Sequence, residues 1–324
     1  MIAAPTPRYR NILVIKLGAL GDFIQALGAM KAIRSHHKGA QITILTTAPF
    51  ESLARDCGYF DRIIIDKKPK FYDLKGWMTL CNTLSGGKFE RVYDLQNNDR
   101  TSFYLKILSP RPEWVGAAKG ASHRNASKSR TAGHAFDGHK ETLALAGIKN
   151  VQVDTLNWMK DNISYFALQP PYVLLVPGCA PSRPEKRWPA ENYARLAKAL
   201  AAMGYQPVIL GTDSEKEIAA QIHKECPAAL DLTAKTNLKH IATLARGAAG
   251  AIGNDTGPLH LIAASGCHSV ALFSGHSDPV KHKPLGKDVK IVRRSDMRDI
   301  DVQDVLDALS PQETGQDAKP AVLH

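Results

Sequence analysis

Apolar runs of strand length alternate with stretches of helical period along most of the chain, and that alternation constrains the fold more than any other feature. NILVIKL (11–17) reads as a buried parallel strand, followed by an amphipathic helix over 23–35. Further strands are predicted at 41–47, 62–66, 91–96 and 113–117, with helices between several of them. The pattern pauses over 148–171 and closes on Gln169-Pro170-Pro171. Two consecutive prolines suit neither a helix interior nor a central strand, so they mark a linker. The alternation restarts with strand 172–176, helix 190–203, strand 206–211, and helices 214–225 and 238–247. Strand 250–254, helix 257–265, strands 269–273 and 289–293, and a helix at 300–309 complete it. Such repetition builds parallel, doubly wound sheets. The expected class is α/β, with two Rossmann-like domains, 1–168 and 169–310, facing across a cleft, and a frayed polar tail over 311–324.

A length of 324 residues and 44% hydrophobic content fit two ordinary globular domains. No run of about eighteen apolar residues is present, which excludes a membrane-spanning helix of that kind. The segment MIAAPTPRYRNILVIKLG lacks the order of regions found in a secretion signal, so a cytoplasmic location is expected. Cys57, Cys81, Cys179, Cys226 and Cys267 are scattered and form no Cys-x-x-Cys pair, which favours reduced thiols over disulfides or a zinc site. Lys and Arg exceed Asp and Glu by 42 − 31 = 11, an excess that favours a polyanionic partner. The densest basic stretch, 119–134, carries Lys119, Arg124, Lys128 and Arg130 with two His and no carboxylate. A solvated loop and an acceptor-binding loop are equal readings of it. Without a recognition motif or interleaved aromatics, nucleic acid is not the expected partner.

Ligands of open parallel sheets gather outside the carboxyl ends of the strands, and four polar or glycine-rich loops fall there. Gly18-Ala19-Leu20-Gly21-Asp22 follows the first strand; it is neither a GxGxxG fingerprint nor a phosphate loop ending in Lys-Ser/Thr. Asp22 reads either as a helix cap or as a general base facing a cleft. Pro177-Gly178 followed by Lys186-Arg187-Trp188-Pro189 reads as a diphosphate clamp or as a solvated basic pair. In Gly211–Glu215, Ser214 is a candidate helix cap, with Glu217 completing a capping box. Gly253-Asn254-Asp255-Thr256-Gly257-Pro258-Leu259-His260 is the strongest of the four. A strand runs directly into a helix with proline in its first turn, so Thr256 and Gly257 offer unpaired amides to an anion. Asp255 is a candidate for sugar hydroxyls, and His260 for holding the loop.

These segments together resemble glycosyltransferase family 9, the heptosyltransferases of lipopolysaccharide assembly. ILVIKLGALGDFIQALGAMKAI is similar to the family's N-terminal signature, and DLQNNDR (94–100) to its DLQ-type motif. PGCAPSRPEKRWPAENYARLAKAL and GNDTGPLHLIAASG, the latter followed by VALF and Asp278-Pro279, resemble its later motifs in the same order. The resemblance implies a GT-B fold, inversion at the anomeric carbon, no metal and no cofactor, the nucleotide-sugar being a substrate. Asp22 becomes the candidate base. Gly21, Lys186, Arg187, Asp255, Thr256, Gly257 and His260 become candidate donor contacts, and Asn97, Arg100, Lys119 and Arg124 candidate acceptor contacts. The expected donor is ADP-linked, with ADP-heptose leading. The expected acceptor is an anionic glycolipid, which implies peripheral contact with the inner membrane. Gln25 and Gly28 depart from the family's usual first helix, and the turn FSGHSDP has one residue more than the family's usual turn. Two alternatives stay open: a nucleotide-sugar epimerase of the same shape, which would need a second acid/base residue opposite Asp22, and a non-catalytic nucleotide-sugar-binding relative.

Overall fold

The computed structural model describes residues 8–310; the expected tail, 311–324, lies outside the described residues. The first sheet contains β1 (Asn11–Ile15), β2 (Gln41–Thr46), β3 (Arg62–Ile65), β4 (Arg91–Asp94), β5 (Glu113–Gly116) and β6 (His123–Arg124). Its helices are α1 (Leu20–His36), α2 (Glu51–Asp56), α3 (Leu74–Gly86), α4 (Asp99–Ile107), α5 (Ser129–Ala132) and α6 (Ala135–Ala144). The second sheet contains β7 (Tyr172–Val176), β8 (Gln206–Ile209), β9 (Leu230–Asp231), β10 (Gly250–Asn254), β11 (Ser269–Phe273) and β12 (Val289–Arg293). Its helices are α7 (Ala190–Ala202), α8 (Lys216–Glu225), α9 (Leu238–Gly247), α10 (Gly257–Ala264), α11 (Pro279–His282) and α12 (Val302–Leu309). Residues 145–171 between the sheets carry neither helix nor strand.

Both sheets are parallel, with orders β3-β2-β1-β4-β5-β6 and β12-β11-β10-β7-β8-β9. Counted from its own first strand, the second sheet repeats the order of the first, the doubly wound arrangement with one reversal point per sheet. The expected α/β class with two Rossmann-like domains is the observed one. The central strands β1, β7, β10 and β11 are buried along nearly their whole length, which is why they read as unbroken apolar runs. The two-residue strands β6 and β9 were not predicted; edge strands this short carry no periodicity to read.

Helix α1 begins at Leu20, three residues before the amphipathic reading starts, and Phe23–Met30 are all buried. It packs against α6 and α10 as well as its own sheet, so a solvent face is largely missing. Gly28 is required by that crowding: a Cβ there would lie 2.0 Å from the carbonyl oxygen of Gln152, in the segment joining the domains. A proline at this position would meet the same carbonyl. The N-termini of α1 and α10 also abut, since a Cβ on Gly257 would come within 2.7 Å of Leu20 Cβ, and one on Gly21 within 2.9 Å of His260 Cδ2. Two glycines thus let the walls of the cleft meet.

Candidate active site

The order of the first sheet reverses between β1 and β4, and that of the second between β7 and β10. Three of the four loops singled out from the sequence leave these strands, at 18–22, 177–189 and 255–257; the loop after β4 is the DLQNNDR segment, and the remaining loop, 211–215, leaves β8. A cleft of about 620 Å³ opens between the domains, lined on one side by Ala19–Asp22 and Gln25. The opposite side is formed by Gly178–Pro181, Lys186, Gly211–Thr212, Ser214–Glu215, Asn237 and Asp255–Pro258. A smaller cavity of about 230 Å³ adjoins it, lined mainly by the first domain (Lys16, Gln96, Asn97, Arg130 and His139 among others) and closed by Lys281 and His282 of the second. Asp22 lines both cavities.

The wall built by the second domain is internally wired. Asn254, fully buried at the end of β10, donates to the carbonyls of Pro177 and Gly178 at 2.9 and 3.1 Å and accepts from Trp188 N at 3.1 Å. It thereby ties both ends of the 177–189 loop to the end of β10 with one side chain. Trp188 is buried and its indole N–H donates to Ile300 O, which anchors the short 3-10 turn Pro184–Lys186 just ahead of it. That turn aims Lys186 inward, where Nζ meets Asp255 Oδ2 at 2.7 Å; Ser277 Oγ donates to the same oxygen at 2.6 Å. His260 Nε2 lies 3.7 Å from Asp255 Oδ1, and its Nδ1 faces Gln25 Nε2 at 3.0 Å across the domain boundary. Burial by itself would raise the Asp255 pKa, but the nearby His260 and the hydrogen bonds from Lys186 and Ser277 outweigh it and hold the carboxylate far below its ordinary range. The first turn of α10 contains Pro258, and its N-cap Thr256 makes no side-chain capping bond, so amides at this end face the cleft uncapped by side chains.

Capping at the third loop lies two residues before the expected place. Thr212 is the N-cap of the 3-10 turn Asp213–Glu215, and Glu215, not Glu217, completes the box, accepting from Thr212 N at 2.8 Å and Thr212 Oγ1 at 2.7 Å. Ser214 Oγ donates to Glu215 as well. The Glu215 carboxylate is buried beneath Gly178 and Gly211, whose missing side chains leave it room.

The wall built by the first domain is different. The N-cap of α1 is Ala19, with no side-chain bond, and Asp22 sits in the first turn, so the capping reading of Asp22 is overturned. Its carboxylate enters none of the side-chain hydrogen bonds or ion pairs among the described residues and faces both cavities. Lys16, buried at the end of β1, reaches Leu95 O at 3.3 Å. Burial pushes its pKa down, while the nearby carboxylates of Asp22 and Asp94 push it up. Asp94 is fully buried; that raises its pKa to about 6, against the hydrogen bonds it accepts from Asn97 N, Thr101 Oγ1 and Gln96 N. Those bonds shape the DLQ turn, and Gln96 closes it by accepting from Leu17 N at 2.9 Å.

The sequence-derived candidates are thus distributed unevenly. Gly21, Asp22, Lys186, Asp255, Thr256, Gly257 and His260 line one cleft, and Asn97 lines the adjoining cavity. Arg187 is half-buried and outside the cleft lining. Arg100 is held by both oxygens of the buried Asp66, at 3.0 and 3.1 Å, and by Tyr104. Lys119 and Arg124 are exposed near the sheet edge and line neither cavity; Arg130 of the same basic stretch does. Gln25, Asn254, Ser277, Glu215 and Lys16 were not singled out for the site. Asn254 and Glu215 lie inside loops that the sequence singles out, and Gln25 is a polar residue inside an apolar helix; Ser277 and Lys16 left no such trace.

Two Rossmann-like domains facing across a cleft, with a lysine and a helix N-terminus on one wall and a carboxylate on the other, define a GT-B fold. The family model described as glycosyltransferase family 9 (heptosyltransferase) matches residues 77–309, and the chain belongs to this family. It is 31% identical over 128 residues to lipooligosaccharide heptosyltransferase 2 of Haemophilus influenzae, an alignment covering 38% of this chain and 36% of that protein. The chain therefore spans about a third of the length of this curated relative. Its fold is similar to that of a protein described as Escherichia coli ADP-heptose lps heptosyltransferase II, with a TM-score of 0.71, 22% identity, and 92% and 97% of the two chains covered. It is also similar to that of a family 9 glycosyl transferase from Veillonella parvula, with a TM-score of 0.77, 20% identity, and 94% and 97% covered.

Proposed function

We propose that this protein is an inverting, metal-independent glycosyltransferase that moves heptose from ADP-heptose to a lipopolysaccharide or other surface-glycan acceptor on the cytoplasmic side of the inner membrane. The observation carrying this reading is the state of the three carboxylates in the cleft lining. Asp255 and Glu215 are committed to hydrogen bonds within the second domain, whereas Asp22 has its oxygens free among the described residues. One available carboxylate suits a single displacement. The acceptor hydroxyl attacks the anomeric carbon, Asp22 takes its proton, a new C–O bond forms, and the bond to the nucleoside diphosphate breaks on the opposite face. A double displacement would need a second free carboxylate as nucleophile, and an epimerase would need a second acid/base residue.

The leaving diphosphate gathers negative charge, and the opposite wall meets it with Lys186 and the N-terminal amides of α10. Fixed donors of this kind do the work that a divalent ion does elsewhere, which supports the metal-independent reading. Asp255 then acts as a positioning residue, presenting Lys186. The adenine and the heptose rest on the family's description and on the donor named for the Escherichia coli relative. Lys16, Arg130 and Lys281 around the adjoining cavity suit an anionic acceptor.

Transfer to a lipopolysaccharide-derived acceptor, measured in EDTA with ADP-, UDP- and GDP-linked sugars, tests each part. Turnover with ADP-heptose alone and an inverted product is the expected result. Dependence on added metal would overturn the mechanism, and preference for another nucleotide would overturn the donor.

A further inference from the structure

Ten large hydrophobic side chains are exposed among the described residues, and four of them fall within eight positions: Phe71 (88% exposed), Tyr72 (63%), Leu74 (78%) and Met78 (61%). They belong to the connection from β3 to α3 and to the first turns of that helix, where Leu74 and Met78 share a face at i, i+4 spacing. Lys67, Lys68, Lys70 and Lys75 surround them, all exposed. Asp73 is the carboxylate of this stretch, and it caps α3 by accepting from Gly76 N at 2.8 Å.

The segment is pinned from beneath. Asp66 accepts from Lys68 N at 2.7 Å and pairs with Arg100, and Arg100 also reaches Pro69 O at 3.3 Å. The Trp77 indole donates to Lys70 O at 3.0 Å, and Pro69 is buried. The apolar side chains are therefore held outward by a backbone with its own partners. Aromatic and aliphatic tips ringed by lysine suit the boundary between anionic headgroups and acyl chains, where the tips leave water and the ammonium groups stay at headgroup level. A protein partner of the same chain would bring its own lysines and no compensating charge.

From this juxtaposition we infer that residues 67–78 form a docking surface for an anionic phospholipid bilayer. The segment leaves the carboxyl end of β3, the same edge of the sheet that carries the Asp22 loop after β1. Two strand spacings, about 10 Å, separate the two strands. Docking there brings the cleft's rim to the lipid surface, where a membrane-anchored acceptor would be presented. The inference extends the acceptor reading above, but its readout is lipid binding and does not depend on the donor or on transfer.

The test is flotation of the purified protein with phosphatidylcholine vesicles, with and without phosphatidylglycerol, at low and high salt. The protein is expected to float with the anionic vesicles at low salt and to stay behind with the neutral ones. Phe71→Ser/Leu74→Ser/Met78→Ser and, separately, Lys67→Gln/Lys68→Gln/Lys70→Gln/Lys75→Gln should each lower partitioning at least tenfold. Melting temperature and ADP affinity serve as controls that the variants fold. Absent vesicle binding by the wild type, or unchanged binding by the apolar variant, would overturn the inference. So would an apolar variant whose sole change is loss of a dimer in sedimentation. Loss of transfer with vesicle binding intact would count against the proposed function alone.

Discussion

The two halves of this molecule share a strand order and differ in how their polar groups are spent. At the end of β10, Asp255 is bound by Lys186, Ser277 and His260, and Asn254 ties down both ends of the 177–189 loop beside it. At the end of β1, Asp22 has no such partner among the described residues. Satisfied networks rigidify a wall, while an unsatisfied carboxylate at a cavity mouth stays available for chemistry. The comparison teaches that the same fold, used twice, carries a carboxylate locked in a network in one copy and an exposed one at a cavity border in the other.

The largest break in this contrast should come from Asp22→Asn. Transfer is expected to fall by roughly 10²–10⁴, with ADP affinity, measured by calorimetry, unchanged. Retained turnover would remove Asp22 from the reaction. Lys186→Ala should act on the other wall, weakening nucleoside diphosphate binding by about 1.5–3 kcal/mol, the value of a charge-assisted hydrogen bond. Unchanged affinity would mean that Lys186 serves Asp255 alone. Gly257→Ala should disturb the junction of the halves without altering either wall's charges. Its Cβ would press on Leu20, at a cost of about 1–2 kcal/mol, visible as a lower unfolding midpoint in urea.

The smallest effect concerns His139, beneath the adjoining cavity. Burial, with Lys16, His134 and Arg130 nearby, pushes its pKa down to about 3. The unfolded chain, with an ordinary histidine near 6.5, binds this proton first. Stability is therefore full above about pH 6.5 and falls as pH drops toward 3, with a slope of up to about 1.4 kcal/mol per pH unit from this group. His139→Gln should flatten the slope of urea-unfolding free energy between pH 6 and 4. An unaltered slope would place the acid sensitivity elsewhere, with His37, held at about 4 by burial, the next candidate.

The alternation of apolar runs made the doubly wound class legible, because central strands buried on both faces admit few other residues. The glycine-bearing loops were legible for a related reason: they lie where a strand must turn into a helix. What escaped depends on contacts between distant segments. Ser277 reaches Asp255 from another loop, Gln25 reaches His260 from another domain, and Glu215 lies under glycines of two loops. Charge was the poorest guide. Arg100 is spent on Asp66, and Lys119 and Arg124 lie outside both cavities, since a basic residue in a motif says nothing about which carboxylate it will find.

Asp22 stands on the shared border of two cavities, one large and facing the second domain's wall, the other small and basic. Two separate molecules occupying them each give up their own freedom of motion. A single compound joining a nucleoside diphosphate to an anionic sugar by a short linker passing Asp22 would give it up once. If its linker spans the gap without strain, effective concentration makes such a bisubstrate ligand bind far more tightly than either half.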